Sequence, residues 1–350
     1  MAKNASATDI FPYNDADQPL PHGGDLSAAR SLFPGAAEPF IDLSTGINPN
    51  PYPLPHLPVE AFARLPDSTA MRQLAAHAAM VYGAPSAAHV VPAPGTQILL
   101  PLVAGLVRPG RAAILSPTYN EHAHCAGLAG HSVAEVLEIS GLDDADLAII
   151  SNPNSPDGRL IDRESLLALA GKLRQRGGML VVDEAFMDVG PPGFSLAEDV
   201  TRNIIVLRSF GKFFGLAGVR LGFALLKPQL AARLAAMLGP WAVSGPALAV
   251  GAKALADTAW IEQMRGELTK AAGRLDAVLG GAALDVIGGT TLFRLVRTPA
   301  ASTLFHHLGR AGILVRIFPD NANWLRFGLP ADETAWRRLE FSLAGFRNSR

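Results

Sequence analysis

A lysine set among small residues is where this chain's chemistry starts. Ser209-Phe210-Gly211-Lys212 is followed closely by Gly215-Leu216-Ala217-Gly218-Val219-Arg220, and the two segments lie between apolar runs at 203–207 and 221–226. A lysine attacks a carbonyl only as the neutral amine, so it needs surroundings that lower its pKa and hold its direction. Ser209, the glycine backbone and Arg220 supply donors for a phosphate beside it. The pattern predicts an amine presented to an aldehyde on a phosphorylated cofactor.

Val182-Asp183-Glu184-Ala185-Phe186 closes another apolar run with two acids. A buried carboxylate is costly unless a cation partners it. A protonated pyridine nitrogen is one such partner, and the ring it belongs to withdraws electrons from a neighbouring carbanion. Capping a helix suits one of the two acids as well. Pro94-Gly95-Thr96-Gln97 follows Val90-Val91 and opens a helical pattern over 98–107, so its amides and the Thr96 hydroxyl can hold a phosphate. Tyr119, in Pro117-Thr118-Tyr119, can lay its ring on a flat cofactor or pack on a helix. Ser151-Asn152-Pro153-Asn154-Ser155-Pro156-Asp157-Gly158 has the composition of a turn-rich loop, placed where polar contact with the same cofactor is within reach.

The elements that must position these groups alternate along the chain. Residues 112–115, 146–150, 179–182 and 204–207 read as buried strands, while 99–107 and 163–176 show helical spacing. This predicts an α/β fold with a mostly parallel sheet covered on both faces. Ligands bind such sheets beyond the carboxyl ends of the strands, and each motif above follows a predicted strand. The first forty residues, rich in Pro, Gly and Asp, read as an irregular arm. Residues 228–280 are alanine-rich and helical, with Trp241 and Trp260 as packing anchors. Strand-like 291–296, a helix over 302–311, and strand-like 313–316 and 324–327 predict a smaller α+β domain. The expected division is an arm over 1–40 joining the small domain, a large cofactor-binding domain over 41–240 and a small domain over 241–350.

With 350 residues, 49% hydrophobic and 17% charged, the chain can bury a sizeable core. A net charge of −1 with both signs scattered leaves no footprint for nucleic acid or an anionic membrane. The single cysteine, Cys125, cannot close an internal disulfide and reads as a small buried hydrophobe. No apolar run approaches the roughly 18 residues of a membrane span, and the first residues lack an apolar signal core. A cytoplasmic enzyme without a metal site is expected.

The order of motifs is the specific signal: Gly-Thr turn, tyrosine, Asn-Pro loop, strand-end Asp, Ser-x-Gly-Lys and a downstream arginine. Over nearly its full length the chain resembles the fold-type I pyridoxal-phosphate enzymes, the aspartate aminotransferase superfamily. The resemblance implies a seven-stranded-type sheet in the large domain, pyridoxal 5'-phosphate as cofactor, Lys212 as the Schiff-base lysine, Asp183 as partner of the pyridine nitrogen and Tyr119 stacked on the ring. It places Gly95, Thr96, Ser209 and Arg220 around the cofactor phosphate, with Gln97, Asn154, Ser155 and Phe186 completing the surroundings. Arg326, in Leu325-Arg326-Phe327-Gly328, falls where the family clamps a substrate α-carboxylate in bidentate fashion.

Within the superfamily, His22-Gly23-Gly24-Asp25, Asp42-Leu43-Ser44-Thr45-Gly46-Ile47-Asn48-Pro49 and Asp183-Glu184-Ala185-Phe186 are similar to the branch that holds the threonine-phosphate decarboxylases and histidinol-phosphate aminotransferases. That likeness implies decarboxylation of L-threonine O-3-phosphate in cobalamin biosynthesis, with transamination of the histidinol-phosphate type as the alternative. His22, Asn48 and Arg316 are then the candidates for the substrate phosphate; a mobile arm, a turn and a surface cation are the plainer readings of the same three residues. Departures accompany the likeness. Asn154-Ser155-Pro156-Asp157-Gly158 replaces Asn-Asn-Pro-Thr-Gly, so Ser155 stands where an asparagine bonds the cofactor's phenolic oxygen, with Asn154 a substitute only if the loop moves. Phe186 stands where many members have tyrosine, and Arg64-Leu65-Pro66-Asp67 lacks a tyrosine that neighbouring subunits lend to the phosphate. A homodimer and a small phosphorylated amino-acid substrate are still implied.

Overall fold

A computed structural model of the chain describes residues 22–348, so the expectations for 1–21 lie outside the described residues. The described residues include twelve strands, most of them short apolar runs bounded by turn residues: β1 (Ile41–Leu43), β2 (Val90–Ala93), β3 (Arg111–Leu115), β4 (Ser132–Val136), β5 (Leu147–Ser151), β6 (Met179–Asp183), β7 (Ile204–Ser209), β8 (Gly222–Leu225), β9 (Asp285–Thr290), β10 (Phe293–Arg297), β11 (Ile313–Ile317) and β12 (Trp324–Gly328). Seven of them make one sheet in the order β2-β8-β7-β6-β5-β3-β4. Pairing is parallel from β7 through β4 and antiparallel on both sides of β8, so β8 alone runs against the others.

Alternation within each central strand builds two cores. Leu180, Val182, Ile204 and Val206 join one apolar cluster, whereas Val181, Ile205 and Leu207 join the other on the opposite face. Leu166, Leu169 and Leu173 of the helix Arg163–Gln175 cover the first face, and Leu99, Leu100 and Val103 of the helix Thr96–Ala104 cover the second. This helix starts two residues earlier than its spacing suggests, because Gly95, at φ +91°, makes the sharp entry and Thr96 is already helical.

The remaining five strands form a second sheet, β1-β11-β12-β10-β9. The expected division at residue 41 falls just before β1, which pairs in parallel with β11 and therefore goes with the smaller sheet. The arm is not wholly irregular: Leu26–Leu32 form a helix whose N-terminus is capped by Asp25 through the Ala28 amide. Trp260 packs against Tyr52, Phe213 and Phe214 as expected of an anchor. Trp241 is not one. It sits at φ +61° between helices and is exposed. The two sheets meet along a seam of glycine: a Cβ at Gly158 would collide with the backbone of Gly289, and one at Gly288 with the carbonyl of Asp157. Among the described residues no helix is long and apolar enough to cross a membrane.

Candidate active site

The carboxyl ends of β2, β3, β5, β6 and β7, with the start of the reversed β8, share one edge of the large sheet, and the predicted motifs lie along it. Ser209 ends β7 and Lys212 lies in the single helical turn that follows, Phe210–Phe213. The turn is held from beneath: Phe210, Phe213 and Phe214 are fully buried, and the Asn48 amide donates to the Lys212 carbonyl at 2.9 Å. Burial pushes the Lys212 amine down to about 8; Arg326 and Arg220 push the same way, and Asp183 opposes.

The residues expected around the cofactor phosphate lie together near the lysine. Ser209 pairs with Gly222 across β7 and β8, and a Cβ on Gly222 would lie 2.7 Å from the Thr96 amide. On Gly95 a Cβ would lie 2.8 Å from Arg220 Nη2. The amides of Thr96 and Gln97 belong to the first turn of a nine-residue helix, where backbone donors have no intrahelical partner. Arg220 is itself held in the left-handed region, at φ +55°. Gly95→Ala is expected to weaken cofactor retention about tenfold or more, since the φ of +91° is nearly glycine-only and costs about 1–3 kcal/mol otherwise. An absorbance titration of the apo chain with pyridoxal phosphate measures it.

Asp183 ends β6 and is buried, with Oδ1 accepting from the Ala185 amide at 3.0 Å. Oδ2 lies 3.1 Å from His122 Nε2, a ring nitrogen that makes no hydrogen bond of its own. Glu184 points the other way. It accepts from Ser195, the Leu196 amide and Arg208, and Arg208 also binds Asp188. The two adjacent acids therefore divide: Asp183 lies against the Ala185 amide and His122, and Glu184 joins a buried ion network rather than a helix cap. Tyr119 donates to Gln97 Oε1 at 2.9 Å; burial, Glu121 and Asp183 raise its hydroxyl far above the ordinary tyrosine value, so it stays protonated. The Phe186 ring lies 5.5 Å from Lys212 Nζ and packs edge-on against Phe293.

Arg326 enters from β12. Its Nη1 donates to Ser155 Oγ at 2.7 Å and its Nη2 to the Ser44 carbonyl at 2.9 Å, while Nε is buried without a partner. Burial and the neighbouring Arg316 lower it to about 10, with Asp42 opposing. Arg316 stands directly opposite Arg326 on β11, and burial lowers it too, with Tyr119 opposing. His22 reaches Glu121 Oε1 at 2.9 Å, with its ring 5.8 Å from that of Tyr119.

Two expected contacts are not formed. Asn154 is fully buried, and both amide hydrogens are taken, by the Pro117 carbonyl and Asp157, while its oxygen accepts from Thr118. It secures the loop and has no donor left for a cofactor oxygen. Asn48 turns its amide to the Phe213 carbonyl at 2.8 Å and its oxygen to the Asn50 amide, so it braces the lysine turn instead of facing a substrate phosphate. Ser155 lies against Arg326. Sequence reasoning missed Glu121 and His122, two buried polar residues at the start of the helix Glu121–Leu128. The available signal was their place directly after the Pro117-Thr118-Tyr119 motif.

Residues 60–336 match the family model for aminotransferase class I and II. The chain belongs to that family. This class I and II aminotransferase-family chain is 44% identical over 331 residues to a threonine-phosphate decarboxylase of Pseudomonas aeruginosa, covering 94% of this chain and 98% of the relative. It is also 44% identical over 330 residues to one from Sinorhizobium sp, covering 93% and 98%. In fold it is similar to a histidinol-phosphate aminotransferase of Sinorhizobium meliloti solved in complex with pyridoxal-5'-phosphate, with a TM-score of 0.77, 20% identity and coverage of 98% and 100%. Pyridoxal 5'-phosphate is the cofactor of the family, and the site fits it. Ser209 at the end of β7 and Gly222 at the start of β8 lie one and two strand spacings of about 4.8 Å from the β6 strand that carries Asp183, the reach of a pyridine ring with its phosphate arm. Lys212, lowered to about 8, follows Ser209 in the turn after β7 and feels the charges of both Asp183 and Arg220.

Proposed function

We propose that the chain is a pyridoxal-phosphate-dependent lyase that decarboxylates L-threonine O-3-phosphate to (R)-1-amino-2-propanol O-phosphate, a step of cobalamin biosynthesis. The observation that carries this reading is the 44% identity to two threonine-phosphate decarboxylases over nearly their whole length. The charges of the site support it. Arg316 and Arg326 are cross-strand partners on β11 and β12, and like charges so placed repel one another. A short substrate with a carboxylate for Arg326 and a phosphate for Arg316 and His22 relieves that repulsion at both ends.

Each role follows from a position already described. Ser209, Arg220 and the Gly95-Thr96 turn would hold the cofactor phosphate, and Asp183 would partner the pyridine nitrogen. When bound, pyridoxal phosphate supplies an electron sink for the pair left on the substrate's α-carbon as carbon dioxide departs. Arg326, fixed by Ser155 and the Ser44 carbonyl, would hold the substrate's α-carboxylate in one direction. Lys212 Nζ, with its value near 8, takes up and returns protons at neutral pH and delivers one to Cα after the loss of carbon dioxide.

The chain is further proposed to act as a cytoplasmic homodimer. Leu54, Val59, Phe62 and Leu65 are exposed within one short segment, apolar surface of the kind a second subunit covers.

The cofactor-loaded protein given L-threonine O-3-phosphate without a keto acid is expected to release carbon dioxide and the amino-propanol phosphate catalytically. Conversion of the cofactor to its amine form by histidinol phosphate, with no carbon dioxide, would instead establish transamination.

A further inference from the structure

Glu121 is buried beside the site, and no arginine or lysine pairs with it among the described residues. Its two oxygens reach different parts of the site. Oε1 meets His22 Nε2 at 2.9 Å, and Oε2 accepts from Gln97 Nε2 at 2.5 Å. A carboxylate only accepts, so it fixes which way the Gln97 amide points: nitrogen toward Glu121, oxygen toward Tyr119. Gln97 Oε1 then receives the Tyr119 hydroxyl at 2.9 Å, which sets the rotation of the tyrosine. Gln97 also belongs to the phosphate turn, directly after Gly95 and Thr96.

One carboxylate therefore joins three separate segments: the arm through His22, the aromatic platform through Tyr119, and the phosphate turn through Gln97. The arm has a second attachment nearby. The Gly24 amide donates to Ser44 Oγ at 2.8 Å, and the Ser44 carbonyl is a ligand of Arg326. The His22 ring lies 5.8 Å from that of Tyr119, and Arg316 is near enough for its charge to act on the tyrosine hydroxyl.

We propose that Glu121 is a positioning residue for substrate specificity: it latches the arm so that His22 and Arg316 flank Tyr119 as the phosphate end of the substrate pocket. The substrate part of this inference rests on the decarboxylase reading; the latch itself does not.

Hydrogen exchange at the Gly24 amide of the cofactor-free chain tests the latch without any turnover. Glu121→Ala is expected to speed that exchange about tenfold or more, whereas Glu121→Gln, which can accept from Gln97 and donate to a neutral His22 nitrogen, stays within about threefold of wild type. In the loaded enzyme, Glu121→Ala is expected to raise KM for L-threonine O-3-phosphate about tenfold while kcat changes less than about threefold. His22→Ala should give a similar rise, and the double variant no more than Glu121→Ala alone, because each breaks the same His22–Glu121 contact. Unchanged Gly24 exchange in Glu121→Ala, or multiplicative effects on KM, overturns the proposal. Should Glu121→Ala fail to fold, Glu121→Leu, which fills similar space but accepts no hydrogen bond, carries the same comparison with His22→Ala, and multiplicative effects again refute the latch. Altered exchange in a protein that does not turn over threonine phosphate would leave the latch standing and remove the decarboxylase reading instead.

Discussion

Replacing Lys212 by alanine is expected to abolish the borohydride-fixable adduct with pyridoxal phosphate and to lower turnover by about four orders of magnitude, the upper range for a positioned acid–base group. The fold should survive, because the turn Phe210–Phe213 is anchored by its buried phenylalanines and by the Asn48 amide on the Lys212 carbonyl, neither of which involves the lysine amine. In the wild-type chain the pH dependence has a definite sign. An ordinary lysine loses its proton near about 10.4. Lys212, held near 8 first by burial and then by Arg326, becomes the neutral nucleophile more than two pH units earlier. The rate of covalent capture by the apo chain should rise through about pH 8 and level off above it. A rate still climbing beyond pH 10 would mean that the amine is not shielded as described. Residual turnover in Lys212→Ala close to wild type would remove the lysine from the chemistry altogether.

Asp183→Asn is expected to cost about 3–4 kcal/mol of transition-state stabilisation, roughly a 10²–10³-fold loss in kcat/KM, with little change in melting temperature. The side chains have nearly the same shape, so the Ala185 amide keeps its acceptor. What disappears is the negative charge at a buried position, and with it the preference for a protonated ring nitrogen. His122 sharpens the test because it lies 3.1 Å from the other carboxylate oxygen. An absorbance titration of the bound cofactor should shift in Asp183→Asn, and activity indistinguishable from wild type would show that the ring nitrogen needs no anionic partner here.

The residues that could be read from the sequence share a local property: each follows an apolar run that ends abruptly. Gly95, Asp183, Ser209 and Lys212 were visible for this reason, since strands β2, β6 and β7 end where side chains turn from buried hydrocarbon to polar atoms. Glu121 had no such marker. Its partners Gln97 and His22 lie 24 and 99 residues away, a relation that only the folded chain creates. Asn154 and Asn48 had suitable chemistry, but local structure had already used it, in an asparagine-bound turn and in a brace on the lysine turn. Strand β4 escaped notice because it lies at the sheet edge, half-exposed and carrying Ser132 and Glu135 instead of a continuous apolar run. Trp241 misled for the opposite reason. A large aromatic in an alanine-rich stretch resembles an anchor, yet its backbone turns the ring outward.

The glycine seam between the two sheets governs how the clamp behaves mechanically. Gly158 lies three residues beyond Ser155 in the same loop, and Gly288 and Gly289 belong to β9, in the sheet that carries Arg326 on β12. The backbones touch there with no room for even a methyl group, so the loop rides on the small sheet as a rivet holds two plates. Ser155 and Arg326 are therefore carried by surfaces in direct backbone contact, and a side chain at any of these three glycines would wedge the clamp open.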